Sequence, residues 1–367
     1  MKNIALIVGA SGVTGSALAD RLLGNGWSVL GLSRGRTPLL AGVEPVRADL
    51  TSREDVAQAL AGRAVTHVFF TAWARQANEK ENIRVNGAMV GNVLDALHDA
   101  GTLKHAALVT GLKHYLGPFE AYATGAVPET PFREEQGRKP VDNFYYEQED
   151  RLFAAAERGG YSWSVHRPHT VIGYAVGNAM NMGLTLAVYA TLCKESGAPF
   201  VFPGSAAQWN GLTDMTDARL LAAHLEWAAT SAAGANEDFN VVNGDVFRWK
   251  WLWPKLAEYF GVEAAPFDAV VQPLEGRMDD ATRAWTAIAA RHGLAEADIG
   301  KLASWWHTDA DLGRPMEVLA DMTKSRKAGF LAYQSTPDAF FDLFERLKAE
   351  RLVPGHAQQT PTDIGNT

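Results

Sequence analysis

Gly9, Gly12 and Gly15 lie in a seven-residue turn, Gly9-Ala10-Ser11-Gly12-Val13-Thr14-Gly15. An apolar run, Ile4-Ala5-Leu6-Ile7-Val8, precedes the turn, and an amphipathic run through Leu18, Leu22 and Leu23 follows it. A strand, a glycine turn and a helix in that order cradle the diphosphate of a dinucleotide. Gly9 permits the tight turn, Gly12 lets backbone N–H groups approach a pyrophosphate, and Gly15 lets the helix pack on the strand. The helix N-terminus adds unpaired N–H groups and a partial positive charge. Ser11 and Val13 belong to the same turn and are expected beside the phosphates. Ser33 and Arg34 end a second run, Ser28-Val29-Leu30-Gly31-Leu32-Ser33, with Arg36 close behind. Dinucleotide folds meet the adenosine ribose at this strand end, and an arginine there without an acid favours the 2′-phosphate of NADP(H). Asp49, after Val46-Arg47-Ala48 and before Leu50, is placed to accept from the adenine amino group. A helix N-cap is its competing role, because Thr51-Ser52-Arg53-Glu54 opens a helix. Lys113 stands just past the strand Ala106-Ala107-Leu108-Val109-Thr110. That is a costly place for an ordinary surface charge, which makes Lys113 the first catalytic candidate.

These groups need a frame that brings strand ends together. The fourth strand, His67-Val68-Phe69-Phe70-Thr71, runs into Ala72-Trp73-Ala74. Ligands bind at the carboxyl edge of an open parallel sheet, so Thr71 is expected at the cofactor and Trp73 at a pocket wall. A long helix follows over residues 82–100. Asn143-Phe144-Tyr145-Tyr146-Glu147-Gln148-Glu149-Asp150 opens another helix. A sixth strand, Ser162-Trp163-Ser164-Val165-His166-Arg167-Pro168, then leads through Val171 to Ile172-Gly173. Pro168 and Val171 are expected on the cofactor side. Strands alternating with helices predict an α/β fold with a doubly wound parallel sheet. The pattern then changes. A helix is expected over 178–194, and Pro199-Phe200-Val201-Phe202-Pro203 reads as a short strand. A helix restarts at Thr213-Asp214-Met215-Thr216-Asp217, and Phe239-Asn240-Val241-Val242 reads as a last core strand. Beyond Gly244 the chain is helical and rich in tryptophan: Trp249, Trp251, Trp253, Trp285, Trp305 and Trp306. The expected organisation is a dinucleotide-binding domain of residues 1–175 with 210–245 and a smaller, mainly helical substrate cap of residues 176–209 with 246–354. A disordered tail is expected over 355–367.

Composition narrows the function classes. The chain has 367 residues, 47% of them hydrophobic, and a formal net charge of −8, which argues against a surface that tracks nucleic-acid phosphates. Its single cysteine, Cys193, excludes an internal disulfide and a thiolate metal cluster. Neither a signal segment nor a stretch of about 20 apolar residues is present. A cytoplasmic protein acting without a membrane is the expectation. No pair among the ten histidines has metal-ligand spacing with a third ligand nearby, and Gly-x-Ser-x-Gly does not occur. His114 is read as a packing or solvated residue, and Glu149 and Asp150 as complements to a helix dipole.

Several further stretches carry a resemblance. They are Thr110-Gly111-Leu112-Lys113-His114-Tyr115-x-Gly117-Pro118-Phe119-Glu120, Asn143-Phe144-Tyr145-Tyr146 with Glu149-Asp150, His166-Arg167-Pro168, Met180-Asn181, and Phe239-Asn240-Val241-x-Asn243-Gly244-Asp245-Val246-Phe247-x-Trp249-Lys250. Together with the glycine turn they resemble the progesterone 5β-reductase/iridoid synthase family, atypical extended short-chain dehydrogenases that reduce enones with NADPH. The match runs from the first strand to about Pro354. It implies a Rossmann fold of the extended type and hydride transfer to the β-carbon of an α,β-unsaturated carbonyl compound. It also implies that Lys113 and Tyr145 are catalytic and touch the cofactor. Trp73, Phe119, Tyr145 and Met180 are then expected around an apolar enone or enal.

The sequence departs from that family in two places: Ser33-Arg34 replaces two adjacent basic residues, and His169-Thr170 replaces Gly-Asn. An ordinary short-chain dehydrogenase carries lysine four residues after its tyrosine. Here Tyr145 is followed at that offset by Glu149 and Tyr146 by Asp150, so Lys113 has to approach from the neighbouring strand end. The alternatives are an epimerase, dehydratase or ketone reductase on the same scaffold, and a non-catalytic NADP(H) sensor. A homodimer is the one protein partner considered, and nothing in the residues fixes the oligomeric state.

Overall fold

The computed structural model describes residues 2–35, 38–118, 128–178 and 180–355. The first half runs β1 (Ile4–Val8), α1 (Val13–Gly24), β2 (Ser28–Ser33), β3 (Glu44–Arg47), α2 (Arg53–Leu60), β4 (His67–Phe70), α3 (Glu79–His98), β5 (His105–Val109), the one-turn α4 (Lys113–Leu116), α5 (Phe144–Gly159) and β6 (Ser162–Pro168). There follow β7 (Val171–Ile172), α6 (Met182–Ser196), α7 (Ala206–Asn210), β8 (Thr216–Asp217), α8 (Ala218–Thr230) and β9 (Glu237–Val241). The chain ends in α9 (Trp249–Phe260), α10 (Ala281–His292), α11 (Trp305–Leu312), α12 (Thr323–Lys327) and α13 (Thr336–Ala349).

The main sheet has seven parallel strands in the order β3-β2-β1-β4-β5-β6-β9. Its direction of growth reverses between β1 and β4, the switch point at which such sheets bind ligands. Register aligns the strand ends, since Val8 pairs with Phe70, Phe70 with Leu108, and Leu108 with Val165. Gly9, Thr71 and the Thr110-Gly111 pair therefore emerge at one edge. Both sheet faces are covered, which is why the strands read as continuous apolar runs. Val56, Val85, Val93 and Leu152 of α2, α3 and α5 pack on one face, and Leu18, Leu22, Leu221 and Leu225 of α1 and α8 on the other. At the outer edges β3 carries Pro45 between exposed Glu44 and Val46. Two N–H groups of β9 and its extension are also taken, Asn240 donating to Glu134 at 2.8 Å and Val242 to the Met322 sulfur at 3.2 Å.

Several boundaries differ from expectation because local caps decide them. Asn78 accepts from the Glu81 N–H, so α3 starts at Glu79. Asn181 accepts from the Leu184 N–H, so α6 starts at Met182. The expected strand at 199–203 is not one, because only Phe200 bridges, to Ala264. Thr216 and Asp217 form β8 before Asp217 caps α8. The tryptophans also divide by role. Trp249, Trp253 and Trp285 are fully buried with Phe340 and Phe344 in a core shared by α6, α9, α10 and α13, while Trp251 is exposed. They hold the helical part together and do not line a cleft. Met316, Val318, Ala320 and Met322 pack instead with Leu112, Tyr115 and Leu220 of the sheet-bearing part.

A buried histidine chain crosses the sheet. His105 reaches the Ser164 hydroxyl at 2.9 Å, Ser164 reaches His166 at 2.8 Å, His166 meets His224 ring to ring at 3.0 Å, and His224 reaches Ser325 at 3.0 Å. Burial holds His105 and His224 down to about 3, His67 to about 4, and His166 well below its ordinary range. These groups stay neutral in the fold and titrate near 6.5 when unfolded, so stability is full above that value. It falls as pH drops from about 6.5 towards the folded values, because the unfolded chain then binds more protons. At pH 5 His67, His105 and His224 each withhold about 2 kcal/mol. The melting temperature is expected to fall by about 5 °C or more between pH 7.5 and pH 5. A flat profile over that range would show that the chain takes up protons without unfolding.

Candidate active site

Gly9 has φ +91°, and a Cβ there would come within 2.9 Å of the Ala72 Cβ and 3.1 Å of the Thr71 hydroxyl. Thr71 is held by donating its hydroxyl to the Val8 carbonyl at 2.8 Å. On Gly15 a Cβ would meet the Gly9 carbonyl at 2.2 Å. Gly12 is the N-cap of α1 and supplies no side-chain hydrogen bond, and the first turn holds no acid. The leading N–H groups therefore lack a side-chain acceptor, and a diphosphate fits that need. Val13 is buried with Ala175 and Ala218 against Val171, so its side chain is taken up by packing. A cavity of about 630 Å³ borders the turn at Ala10 and Ser11, but it extends between α1 and α13, away from Lys113 and Tyr145.

Ser33, at the end of β2, accepts from the Gly35 N–H at 3.2 Å, and Arg34 follows in an exposed position. The sequence reading missed Arg47. Its β3 position pairs with Ser33, and a Cβ on Gly35 would lie 2.8 Å from its Nε. Two arginines thus flank the strand end, and the signal was the register of β3. Arg36 and Phe119 lie outside the described residues. Asp49 is not a helix cap: its carboxylate accepts from the Thr51 N–H and hydroxyl at 2.9 and 2.8 Å, while Ser52 caps α2. Those bonds, with help from Arg34, hold the Asp49 carboxyl below its ordinary value. The Leu50 carbonyl accepts from Asn92 at 2.9 Å. Met180 stands just ahead of α6 with its N–H on Asn178. Asn178, unmarked in the sequence, approaches the phosphate turn, 3.5 Å from where a Gly12 Cβ would stand.

At the end of β5 the chain folds into α4, burying Lys113 to 7% exposure. The Lys113 ammonium lies 4.9 Å from the Phe144 ring centroid and 5.8 Å from that of Trp73. Trp73 and Phe144 stack at 5.4 Å, so the fully buried Phe144 backs the half-buried Trp73. Asn143 fixes α5 in two ways, accepting from the Tyr145 N–H and donating to the Lys113 carbonyl at 2.8 Å. Glu79 accepts from the Phe144 N–H at 2.8 Å. A Cβ on Gly111 would stand 3.2 Å from the Tyr145 hydroxyl and 3.3 Å from the Pro168 carbonyl. Tyr145 therefore reaches across Gly111 to the strand edge where Lys113 begins α4. Tyr146 turns elsewhere. Its hydroxyl donates to the His114 carbonyl at 2.7 Å and accepts from the Lys139 N–H at 3.0 Å.

Glu149 does more than complement a dipole. It is 1% exposed, with Arg138 at 2.9 Å and Arg167 at 3.5 Å. Burial pushes its carboxyl up, but His114, Arg167 and Arg138 outweigh that and hold it below the ordinary value. Arg167 also pairs with Asp238 at 2.6 Å and donates to the Tyr115 hydroxyl, which donates to Asn240. His114 is buried between the Tyr115 and Tyr146 rings, with Nδ1 3.7 Å from Glu149 and Nε2 3.3 Å from the Gln136 carbonyl. The acid that follows Tyr145 by four residues thus belongs to a network beneath the site. His169 and Thr170 bind Asp214 at 2.9 Å and Asp311 at 2.7 Å, and so tie the β6 end to α11.

The PRISE-like Rossmann-fold domain matches residues 45–354. The chain belongs to that family. It is 39% identical over 366 residues to an (S)-8-oxocitronellyl enol synthase of Camptotheca acuminata, covering 96% of this chain and 94% of that one. It is 36% identical over 370 residues to a 3-oxo-Delta(4,5)-steroid 5-beta-reductase of Arabidopsis thaliana, with the same coverage. Among solved structures it resembles a UDP-glucose 4-epimerase of Thermotoga maritima, with TM-score 0.66, 16% identity, and 94% and 99% of the two chains covered. The Bordetella bronchiseptica enzyme WbmG gives TM-score 0.67 at 17% identity, with 96% and 97% covered. These structures share the fold. Among the described residues of this PRISE-like chain no helix is long and apolar enough to cross a membrane.

Proposed function

We propose that the protein is an NADPH-dependent reductase of activated C=C bonds in α,β-unsaturated ketones and aldehydes. The observation that carries this reading is that the Tyr145 hydroxyl lies beside Gly111 at the β5 end while Lys113, two residues on, lies against the stacked Trp73 and Phe144 rings. NADPH, when bound, supplies the hydride that reaches the substrate β-carbon. Tyr145 donates a hydrogen bond to the carbonyl oxygen, where negative charge gathers as the enolate forms. An aligned donor stabilises that charge without protonating carbon, and solvent delivers the proton to the α-carbon that completes the saturated product. Lys113 supports the ribose and the phenol. Gly9, Ser11, Gly12, Gly15 and the Val13 N–H hold the diphosphate, Ser33, Arg34 and Arg47 the 2′-phosphate, and Asp49, Leu50 and Thr71 the adenosine side. Pro168 and Val171 complete the nicotinamide side, and the helical segments 176–209 and 246–354 act as the substrate cap. The lone, buried Cys193 supports a cytoplasmic setting, and a homodimer is the assembly considered with this reading.

The test is NADPH absorbance during incubation with a short apolar enone, a saturated ketone and a nucleotide sugar. Oxidation of NADPH is expected with the enone alone. Turnover of the ketone or competition by the nucleotide sugar without the enone would favour the epimerase or ketone-reductase alternative. Arg34→Ala is expected to weaken NADPH by about one to two decades and leave NADH nearly unchanged, since a charge-assisted contact contributes about 1.5–3 kcal/mol. Equal losses with both cofactors would refute the Arg34 assignment.

A further inference from the structure

Helix α11 is tied near both ends to segments that follow strands of the main sheet. Near its start the Trp306 ring takes the guanidinium carbon of Arg75 at 4.1 Å, and Arg75 stands two residues past Trp73 at the end of β4. At its other end Asp311 accepts from the Thr170 hydroxyl at 2.7 Å, just past β6. Since β5 lies between β4 and β6, the two tethers of α11 follow the strands on either side of the one that leads to Gly111 and Lys113. The acids around these tethers are engaged. Asp311 pairs with Arg314 and accepts from Thr170. Glu79 accepts from Asn82 and the Phe144 N–H, and Asp309 from the N–H groups of Leu274 and Glu275. Among the described residues no carboxylate stands within 4.0 Å of Arg75. Arg75 is exposed, and its guanidinium rests against the indole. A guanidinium is a planar fork of N–H donors that takes a carboxylate in two parallel hydrogen bonds.

We propose that Arg75 recognises a carboxylate on the substrate, so that the preferred substrates are α,β-unsaturated carbonyl compounds bearing an acid group remote from the double bond. The assignment rests on the reductase reading and deepens it. The experiment compares an acyclic enone whose chain ends in a carboxylate with its methyl ester, following NADPH consumption by wild type, Arg75→Met and Arg75→Lys. Wild type is expected to show the lower KM for the acid, and added salt should raise that KM alone. Arg75→Met should raise the acid KM about tenfold while the ester KM, both kcat values and NADPH affinity stay within about twofold. Arg75→Lys should recover part of the loss, keeping the charge without the planar fork. Equal shifts for acid and ester, no shift, or a parallel loss of NADPH affinity would overturn the Arg75 assignment alone. A wild type that consumes NADPH with neither compound would overturn the reductase reading and this substrate class with it.

Discussion

Tyr145→Phe is expected to lower kcat on a good enone by about two to three decades while NADPH affinity stays nearly intact. Removing one aligned donor from a developing oxyanion costs about 2.7–4 kcal/mol, and this phenol is the donor assigned to the enolate oxygen. The neighbouring tyrosine is the control. The Tyr146 hydroxyl is spent on the His114 carbonyl and the Lys139 N–H, so Tyr146→Phe removes two structural hydrogen bonds and no contact with substrate. It should cost about 1–3 kcal/mol of stability and change kcat by less than about threefold. Steady-state kinetics on both variants, with NADPH binding by fluorescence, separates the roles. Full turnover by Tyr145→Phe together with a collapse in Tyr146→Phe would reverse the assignment.

Lys113→Ala is expected to damage both steps, lowering kcat by at least about tenfold and weakening NADPH by about one to two decades, as loss of a buried charged hydrogen-bond donor does. The lysine is 7% exposed and lies against the Phe144 and Trp73 rings, so its charge acts in a medium that screens little. Truncation also opens a void beside Phe144. Lys113→Met fills most of that volume without the ammonium and is the better reporter. If Lys113→Met binds NADPH as wild type does and keeps its turnover, the ammonium has no part in either step.

The sheet and its cofactor turn were legible in the sequence because both impose backbone requirements that few residues meet. Gly9 at positive φ and Gly15 against the Gly9 carbonyl are positions where a Cβ has no room. β2 was read at its observed bounds because two-sided burial leaves an uninterrupted apolar run between turns. The helical part was less legible. Its tryptophans signalled burial without saying whether a core or a cleft buries them, and Trp249, Trp253 and Trp285 went to the core. Helix starts at 79 and 182 depended on which asparagine turned its side chain back onto the chain, a choice that periodicity does not encode. Arg47, Phe144 and Asn178 were missed for one shared reason. Each enters the site through strand register or the approach of a distant segment, and neither is local in sequence.

The two ends of the sheet constrain how copies of this chain can meet. On one side Pro45 offers no donor and stands next to a charged neighbour; on the other, the Asn240 and Val242 N–H groups are already bound to Glu134 and Met322. A free strand edge is a template on which another chain can add a strand, the usual route to open-ended fibrillar growth. Here one margin lacks a donor at Pro45 and the other has spent two. Both features work against strand-on-strand growth, whereas a two-fold contact would close on itself at a finite size.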